Sequence, residues 1–283
     1  MTSRRFRLVD VFGERQLTGN GLAVVVDSDG LDTDEMLEIT RWLGFSETTF
    51  LAEPETAGAD YKTRIFTLAG ELPFAGHPTL GTCHVWLTET GADSDEIVQE
   101  CGVGLVPVRR NDEILSFRAP QLIRGGPVSD DDLVDFASIL GVDAEEIVDS
   151  AWVDNGPGWV GIMLSDAGSV LRLRPDFNRS DRDPIDIGVV GLHAEGSSIA
   201  YEVRAFFSDQ NGGMLEDPVT GSLNASLAQW LVGSGVVQPP YVAAQGTALG
   251  RSGRVCITQD DGEIWVGGRV FDVVEGELAE GQP

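Results

Sequence analysis

The 283-residue chain reads as an α+β protein built from two similar halves, and three observations carry that reading. Residues 61–87 and 201–227 align without a gap at an offset of 140, and Tyr61/Tyr201, Arg64/Arg204, Phe66/Phe206, Pro78/Pro218, Gly81/Gly221 and Leu87/Leu227 are identical. Chance would supply about one or two such identities at ordinary residue usage. Alternating or continuous β-prone runs dominate both halves, and each half has one helical segment that is apolar nearly all round, as suits a buried helix. Glycine is abundant, at 35 residues, as in turn-rich β structure.

The elements follow in order. Phe6 to Phe12 reads as a strand, Thr18-Gly19-Asn20-Gly21 as a turn, and Leu22 to Val26 as a second strand. Asp32 and Glu35 form a capping box, and Met36, Ile39 and Leu43 keep helical spacing up to a stop at Gly44. Tyr61, Thr63, Ile65 and Thr67 alternate as a strand. Pro78 then opens the first buried helix, with His77 at its N-cap; Leu80, His84 and Leu87 mark one face, and Cys83, Val85 and Trp86 fill in the others. In the second half Tyr201 to Phe207 is a strand and 208–213 a polar, Gly-rich loop. Asp217 is the expected N-cap of a helix opened by Pro218, with Leu223, Leu227 and Leu231 on one face.

Other echoes support the duplication. Gly104 to Phe117 resembles Gly253 to Val266, and Asn155-Gly156-Pro157-Gly158 stands before Trp159–Leu164 much as Gly19-Asn20-Gly21 stands before its strand. The copy is imperfect, because a helix at 130–140 precedes that strand whereas the one at 33–43 follows its own. The expected organisation is an N-terminal repeat over 1–119, joined by a returning tail from about 271 to 283, and a C-terminal repeat over 120–270.

Composition narrows the partners. The net charge is −27, from 46 acidic against 19 basic residues, and Lys62 is the sole lysine. Such a surface repels nucleic acid and anionic membrane. Its dispersal along the chain fits a high-salt cytoplasm, where molar salt shortens the Debye length to about 3 Å, and a midpoint of unfolding that rises with salt is expected. No apolar run approaches a membrane span, and Met1-Thr2-Ser3-Arg4-Arg5 has no signal-peptide core, so the expected location is cytoplasmic. Cys83, Cys101 and Cys256 are odd in number and unclustered, as reduced thiols are. His77, His84 and His193 lack metal-ligand spacing, Asp217 to Ser222 lacks the lysine of a phosphate loop, and no dinucleotide fingerprint follows a strand. Neither metal nor cofactor is expected.

The repeat places His77 on Asp217, two different ionisable groups at matching helix starts, where free N–H groups and the positive dipole end favour a carboxylate or a developing oxyanion. Asp217 is equally well an ordinary N-cap. Histidine is a poor cap, so His77 asks for another reason. Glu47 lies in the β-prone run Phe45 to Phe50; exposed it is an ordinary loop acid, and buried its pKa would rise into the range for proton transfer. The Ser222 hydroxyl, by type, is a local hydrogen bonder.

Five blocks together resemble the PhzF phenazine-biosynthesis family: Asp10-Val11-Phe12, Thr18 to Val25, Ser46 to Phe50, Gly76 to Gly81 and Glu216 to Ser222. They stand in that family's order and cover nearly the whole chain. The resemblance implies the diaminopimelate-epimerase fold: two pseudo-symmetric halves, each a mostly antiparallel sheet or barrel wrapped around a central helix, with the active site in the cleft between. It implies cofactor-free isomerisation of a small carboxylate-bearing substrate by proton shuttling. Glu47 takes the acid/base role by that resemblance, with His77 and Asp217 supporting it and Asn20, Gly76, Gly221 and Ser222 binding substrate. Related racemases use a cysteine pair at the two helix starts; here those places hold His77 and Asp217, which disfavours that chemistry. Epimerisation at one stereocentre and a non-catalytic binding protein are the alternatives, and a homodimer is the expected assembly.

Overall fold

A computed structural model describes residues 3–175, 185–208 and 213–279. The chain divides into two compact units: one is formed up to Arg118 and again from Gly267, the other is Ala119–Val266.

In the first unit β1 (Ser3–Val11) and β2 (Asn20–Val25) pair antiparallel. Helix α1 (Thr33–Leu43) then crosses to β3 (Glu47–Ala52), which lies parallel to β2. β3 turns back on β4 (Tyr61–Thr67), and β4 meets the short β5 (Glu71–Leu72). Helix α2 (Gly76–Thr90) leads to β6 (Glu96–Cys101), parallel to β4, and β7 (Gly104–Asn111) and β8 (Ile114–Arg118) follow antiparallel. The chain's last strand, β18 (Val270–Ala279), pairs antiparallel with β1 from Ser3 to Val11, with one irregularity at Leu8/Val9.

The second unit repeats this order. β9 (Arg124–Gly126) pairs with β10 (Ile147–Asp154), as β18 pairs with β1. Between them runs α3 (Asp130–Leu140), which has no counterpart in the first unit. β10 pairs antiparallel with β11 (Trp159–Leu164), and α4 (Ala167–Arg172) lies between β11 and the parallel β12 (Asp186–Leu192). β13 (Tyr201–Ser208) pairs with β12 and with β14 (Met214–Asp217); α5 (Gly221–Gly233) leads to β15 (Tyr241–Gln245), parallel to β13. β16 (Gly253–Asp260) pairs with β15, and Asp261 and Gly262, both at positive φ, turn the chain into β17 (Glu263–Gly268). Each unit is therefore mostly antiparallel, with parallel pairs at the two helical crossovers.

The local reasons are legible. The Asp32–Glu35 capping box forms, with Glu35 N donating to Asp32 at 2.9 Å and Asp32 N to Glu35 at 2.8 Å, and Gly44 ends α1 at φ 73. β11 is buried at every position, as befits an apolar run covered on both faces. α2 buries Gly76 through Cys83 and Val85; α5 buries Gly221, Leu223 through Ala228 and Leu231. α2 packs so closely that a Cβ on Gly81 would stand 2.5 Å from Leu22. In the second unit the absent side chains belong to the strands instead, at Gly188 against Leu223 and Gly161 against Trp230. The described helices include none long and apolar enough to cross a membrane.

Two sequence expectations change. The helix equivalent to α1 is α4, which lies between β11 and β12 just as α1 lies between β2 and β3; the helix at 130–140 is an addition, not a displaced copy. The loop expected at 208–213 lies mostly outside the described residues. Its length nonetheless matters, because Phe66 pairs with Glu71 five residues on, whereas Phe206 pairs with Glu216 ten residues on. The repeat therefore slips from an offset of 140 in the strands to 145 at the helices.

Candidate functional site

The observed helix starts correct both expected helix caps. The N-cap of α2 is Ala75, so Gly76 is its first residue, His77 the second and Pro78 the third. The N-cap of α5 is Thr220; Pro218 lies outside the helix and Asp217 ends β14. In strand register Asp217, paired with Ala205, takes the place of Leu72, paired with Ile65. The counterpart of His77 is Ser222, each being the second residue of its helix. Neither helix start has a side-chain cap, so both present N–H groups and the positive dipole end.

The first unit brings Glu47 and His77 together. Glu47 opens β3, opposite Thr67, and its alternation with Thr49, whose hydroxyl meets Thr82 of α2 at 2.8 Å, turns it to the helix-bearing face. His77 is 4 % exposed, and its Nε2 stands 3.6 Å from Glu47 Oε2. That is just beyond a hydrogen bond but well within charge–dipole reach, and such contacts tighten when substrate arrives. Glu47 Oε2 is buried and accepts no hydrogen bond from the described residues. Burial pushes the Glu47 carboxyl up to about 7, against a small opposing effect of a hydrogen bond from Ser46. A group so placed takes and gives a proton near neutrality. By contrast burial pushes the Cys83 thiol up to about 12, which leaves it inert.

Asn20, buried at the start of β2, follows a turn held by Asp10, whose carboxylate accepts from the Thr18 and Gly19 amides at 3.0 Å. Gly19 must lack a side chain, since a Cβ there would lie 2.1 Å from the Val11 carbonyl oxygen. The start of α2 is tied from β6, where Gln99 donates to the Thr79 hydroxyl at 2.9 Å.

In the second unit Asp217, Gly221 and Ser222 gather at the start of α5. Asp217 accepts from the Thr220 hydroxyl at 2.5 Å, and Gln245 of β15 accepts from the Thr220 amide at 3.0 Å while donating to the Asp217 carbonyl at 3.1 Å. The Trp159 indole donates to Ser222 Oγ at 3.1 Å, and Asn155 donates to the Ser222 carbonyl at 2.9 Å. Sequence reasoning missed Trp159, Gln99 and Gln245. Asn155 was visible in the glycine-rich echo before β11, without the contact that explains it.

A clip recurs just ahead of each helix. Arg64 holds Glu71 with two bonds of 2.7 and 2.6 Å, and Arg204 holds Glu216 with two of 2.9 and 2.7 Å. The aligned arginines are thus explained by a glutamate that the ungapped comparison could not match.

Among known proteins, the model of the family described as "Phenazine biosynthesis-like protein" matches residues 9–275. The antisense-enhancing sequence 1 of Schizosaccharomyces pombe is 31% identical, across 98% of this chain and 99% of its own length. The trans-2,3-dihydro-3-hydroxyanthranilate isomerase of Pseudomonas aeruginosa is 31% identical, across 89% of this chain and 88% of its own. A crystal structure of a PhzF-family phenazine biosynthesis protein from Enterococcus faecalis shares the fold at a TM-score of 0.82 and 24% identity, covering 99% of this chain and 100% of that one.

Proposed function

The chain belongs to the phenazine biosynthesis-like family and is an isomerase acting on a small molecule, and from that premise we propose that Glu47 is its proton carrier and that the substrate bears a carboxylate. The observation that carries the reading is the buried Glu47 carboxyl, pushed up to about 7 beside His77. As a carboxylate it takes a proton from a substrate carbon; as an acid it can give one back, with little driving force lost in either direction near neutral pH. His77 steadies the ionised form at 3.6 Å. The starts of α2 and α5, at Gly76 and Gly221, have no side-chain cap, and the positive dipole end of such a helix suits a substrate carboxylate or the charge that builds when the proton leaves. In this reading Asp217 supports the chemistry and Asn20 and Ser222 bind substrate. A pure binding protein would gain nothing from an acid whose burial costs stability.

The relative's named substrate, trans-2,3-dihydro-3-hydroxyanthranilate, is the first probe. In heavy water the wild-type protein should exchange a carbon-bound hydrogen of this compound and isomerise it. Glu47→Gln keeps the shape and removes the transferable proton, and should lower both rates by about 10²–10⁴. A well-folded Glu47→Gln that works at the wild-type rate would reduce Glu47 to a structural acid. Deuterium uptake with inversion at one centre, and no shift of the double bond, would assign the chain to single-centre epimerisation instead. Light scattering tests the homodimer that belongs to this reading.

A further inference from the structure

Neither helix start has a capping side chain, and each is held instead by a glutamine reaching it from the strand after the helix. At α2 this hold is one link in a chain of hydrogen bonds that all run the same way. The Tyr61 hydroxyl of β4 donates to Gln99 Oε1 at 3.1 Å, Gln99 Nε2 donates to the Thr79 hydroxyl at 2.9 Å, and Thr79 Oγ1 donates to the Ala75 carbonyl at 2.9 Å. All three side chains are buried, and bonds aligned head to tail in a dry interior polarise and strengthen one another. In the second unit Gln245 Nε2 donates to the Thr220 hydroxyl at 3.0 Å. Gln99 stands beside Tyr61, whereas the neighbour of Tyr201 is Ala243 and Gln245 lies two residues further along. A glutamine that arrives from a different register in each unit marks a requirement of the helix start itself.

Anchoring the helix as a whole does not account for the chain at α2. The helix is buried from Gly76 through Cys83, and Gly91 closes its far end at φ 66. Thr82 meets Thr49 at 2.8 Å, which sets the helix against β3, the strand that carries Glu47. These contacts leave the first turn to be fixed, where Ala75 offers no capping group and where His77 stands. A serine or aspartate cap would fix that turn locally, but by occupying its N–H groups. Gln99 fixes it from the side, through Thr79, and takes none of them.

We propose that Gln99 is a positioning residue of this enzyme: acting through Thr79, it fixes the first turn of α2 and with it the placement of His77 against Glu47. The proposal rests on the reading of Glu47 as the proton carrier and deepens it. Every residue it invokes belongs to the first unit. With the tie cut, the first turn pivots about the Thr49–Thr82 contact, His77 leaves its place 3.6 Å from Glu47, and water reaches the carboxyl.

Two cuts and one control test this. Gln99→Met keeps the length and removes both hydrogen bonds, and Thr79→Val removes the tie from the helix side. Tyr61→Phe breaks the chain at its far end and leaves the tie in place. Carbon NMR of glutamate-labelled protein follows the Glu47 carboxyl, identified by its absence in Glu47→Gln. Burial is the main cause of its rise to about 7, so each cut should lower the midpoint by about half a unit or more, while Tyr61→Phe leaves it in place. With trans-2,3-dihydro-3-hydroxyanthranilate, each cut should lower kcat about ten- to a hundredfold with KM within about threefold of wild type, and the double variant should be no worse than either alone. A network that only stabilises the fold would lower the thermal midpoint in all three variants and leave the titration unmoved, which overturns the proposal. So does a titration that moves equally in all three. If Gln99→Met fails to fold, Thr79→Val decides, and if the compound is not turned over, the titration decides. A wild-type protein without a carboxyl titrating near 7 removes the Glu47 reading and this proposal together, whereas a Glu47 signal that neither cut lowers overturns the positioning role alone.

Discussion

The two units share one scaffold and differ in what they expose to water at equivalent points. Arg64–Glu71 and Arg204–Glu216 make the same two-bonded clip, yet the side chains are 24% and 38% accessible in the first unit and 6% and 7% in the second. Arg204 also donates to the Leu173 carbonyl at 2.9 Å, at the end of α4, so the second clip is locked into a core that the first one borders. At the helix starts the second unit is again the more tightly held. Ser222 is tied by Trp159 and Asn155, whereas Glu47 faces His77 at a distance too long for a hydrogen bond. The duplication preserved backbone register and released the side chains, so equivalent positions could acquire unequal electrostatics. At its helix start the second unit holds Ser222 with two donors, whereas the first leaves Glu47 Oε2 without a hydrogen bond from the described residues beside His77.

The sharpest way to break this comparison is to cut each clip. Glu216→Ala strands a buried guanidinium and should cost about 3–5 kcal/mol in urea unfolding, whereas Glu71→Ala, at an exposed pair, should cost about 0–1 kcal/mol. Equal losses would mean that burial is not what separates the two units.

A smaller effect of opposite sign is expected at Glu47. Its carboxyl titrates at about 7 in the folded protein against an ordinary 4.5, so the folded state holds a proton that the unfolded chain has released. The site is neutral in both states below about 4.5, loses stability as pH rises toward 7, and bears a constant penalty above that. Glu47→Gln removes the penalty and should stabilise the protein by about 1–3 kcal/mol above pH 7, a gain that vanishes by about pH 4. A pH-independent difference in thermal midpoint would show that the acid is not strained by burial.

The smallest effect concerns salt. In a double-mutant cycle the Arg64–Glu71 coupling, a few tenths of a kcal/mol, should fade between about 0.1 and 1 M salt as the Debye length shrinks from about 10 to 3 Å, while the Arg204–Glu216 coupling holds. The whole chain should move the other way, with its midpoint rising with salt, because self-repulsion at a net charge of −27 is what salt screens. A clip in the first unit that ignores salt would erase the contrast between border and core.

Much of this was legible in the residues alone. Alternation and all-round apolarity predicted the strands and the two buried helices, since burial of a face or of a whole helix is written directly into spacing. The Asp32–Glu35 box and Gly44 set the limits of α1, because a cap is a contact within four residues. Duplication showed in Tyr61/Tyr201, Arg64/Arg204 and Phe66/Phe206, and the motif blocks singled out Glu47 and His77. Tertiary structure alone decided the rest. Five extra residues between β13 and β14 shift the repeat, so Ser222 rather than Asp217 answers His77, and an ungapped alignment cannot carry such a slip. The proton affinity of Glu47 likewise depends on what covers it, and desolvation is imposed by residues distant in the chain, including α2 and β4.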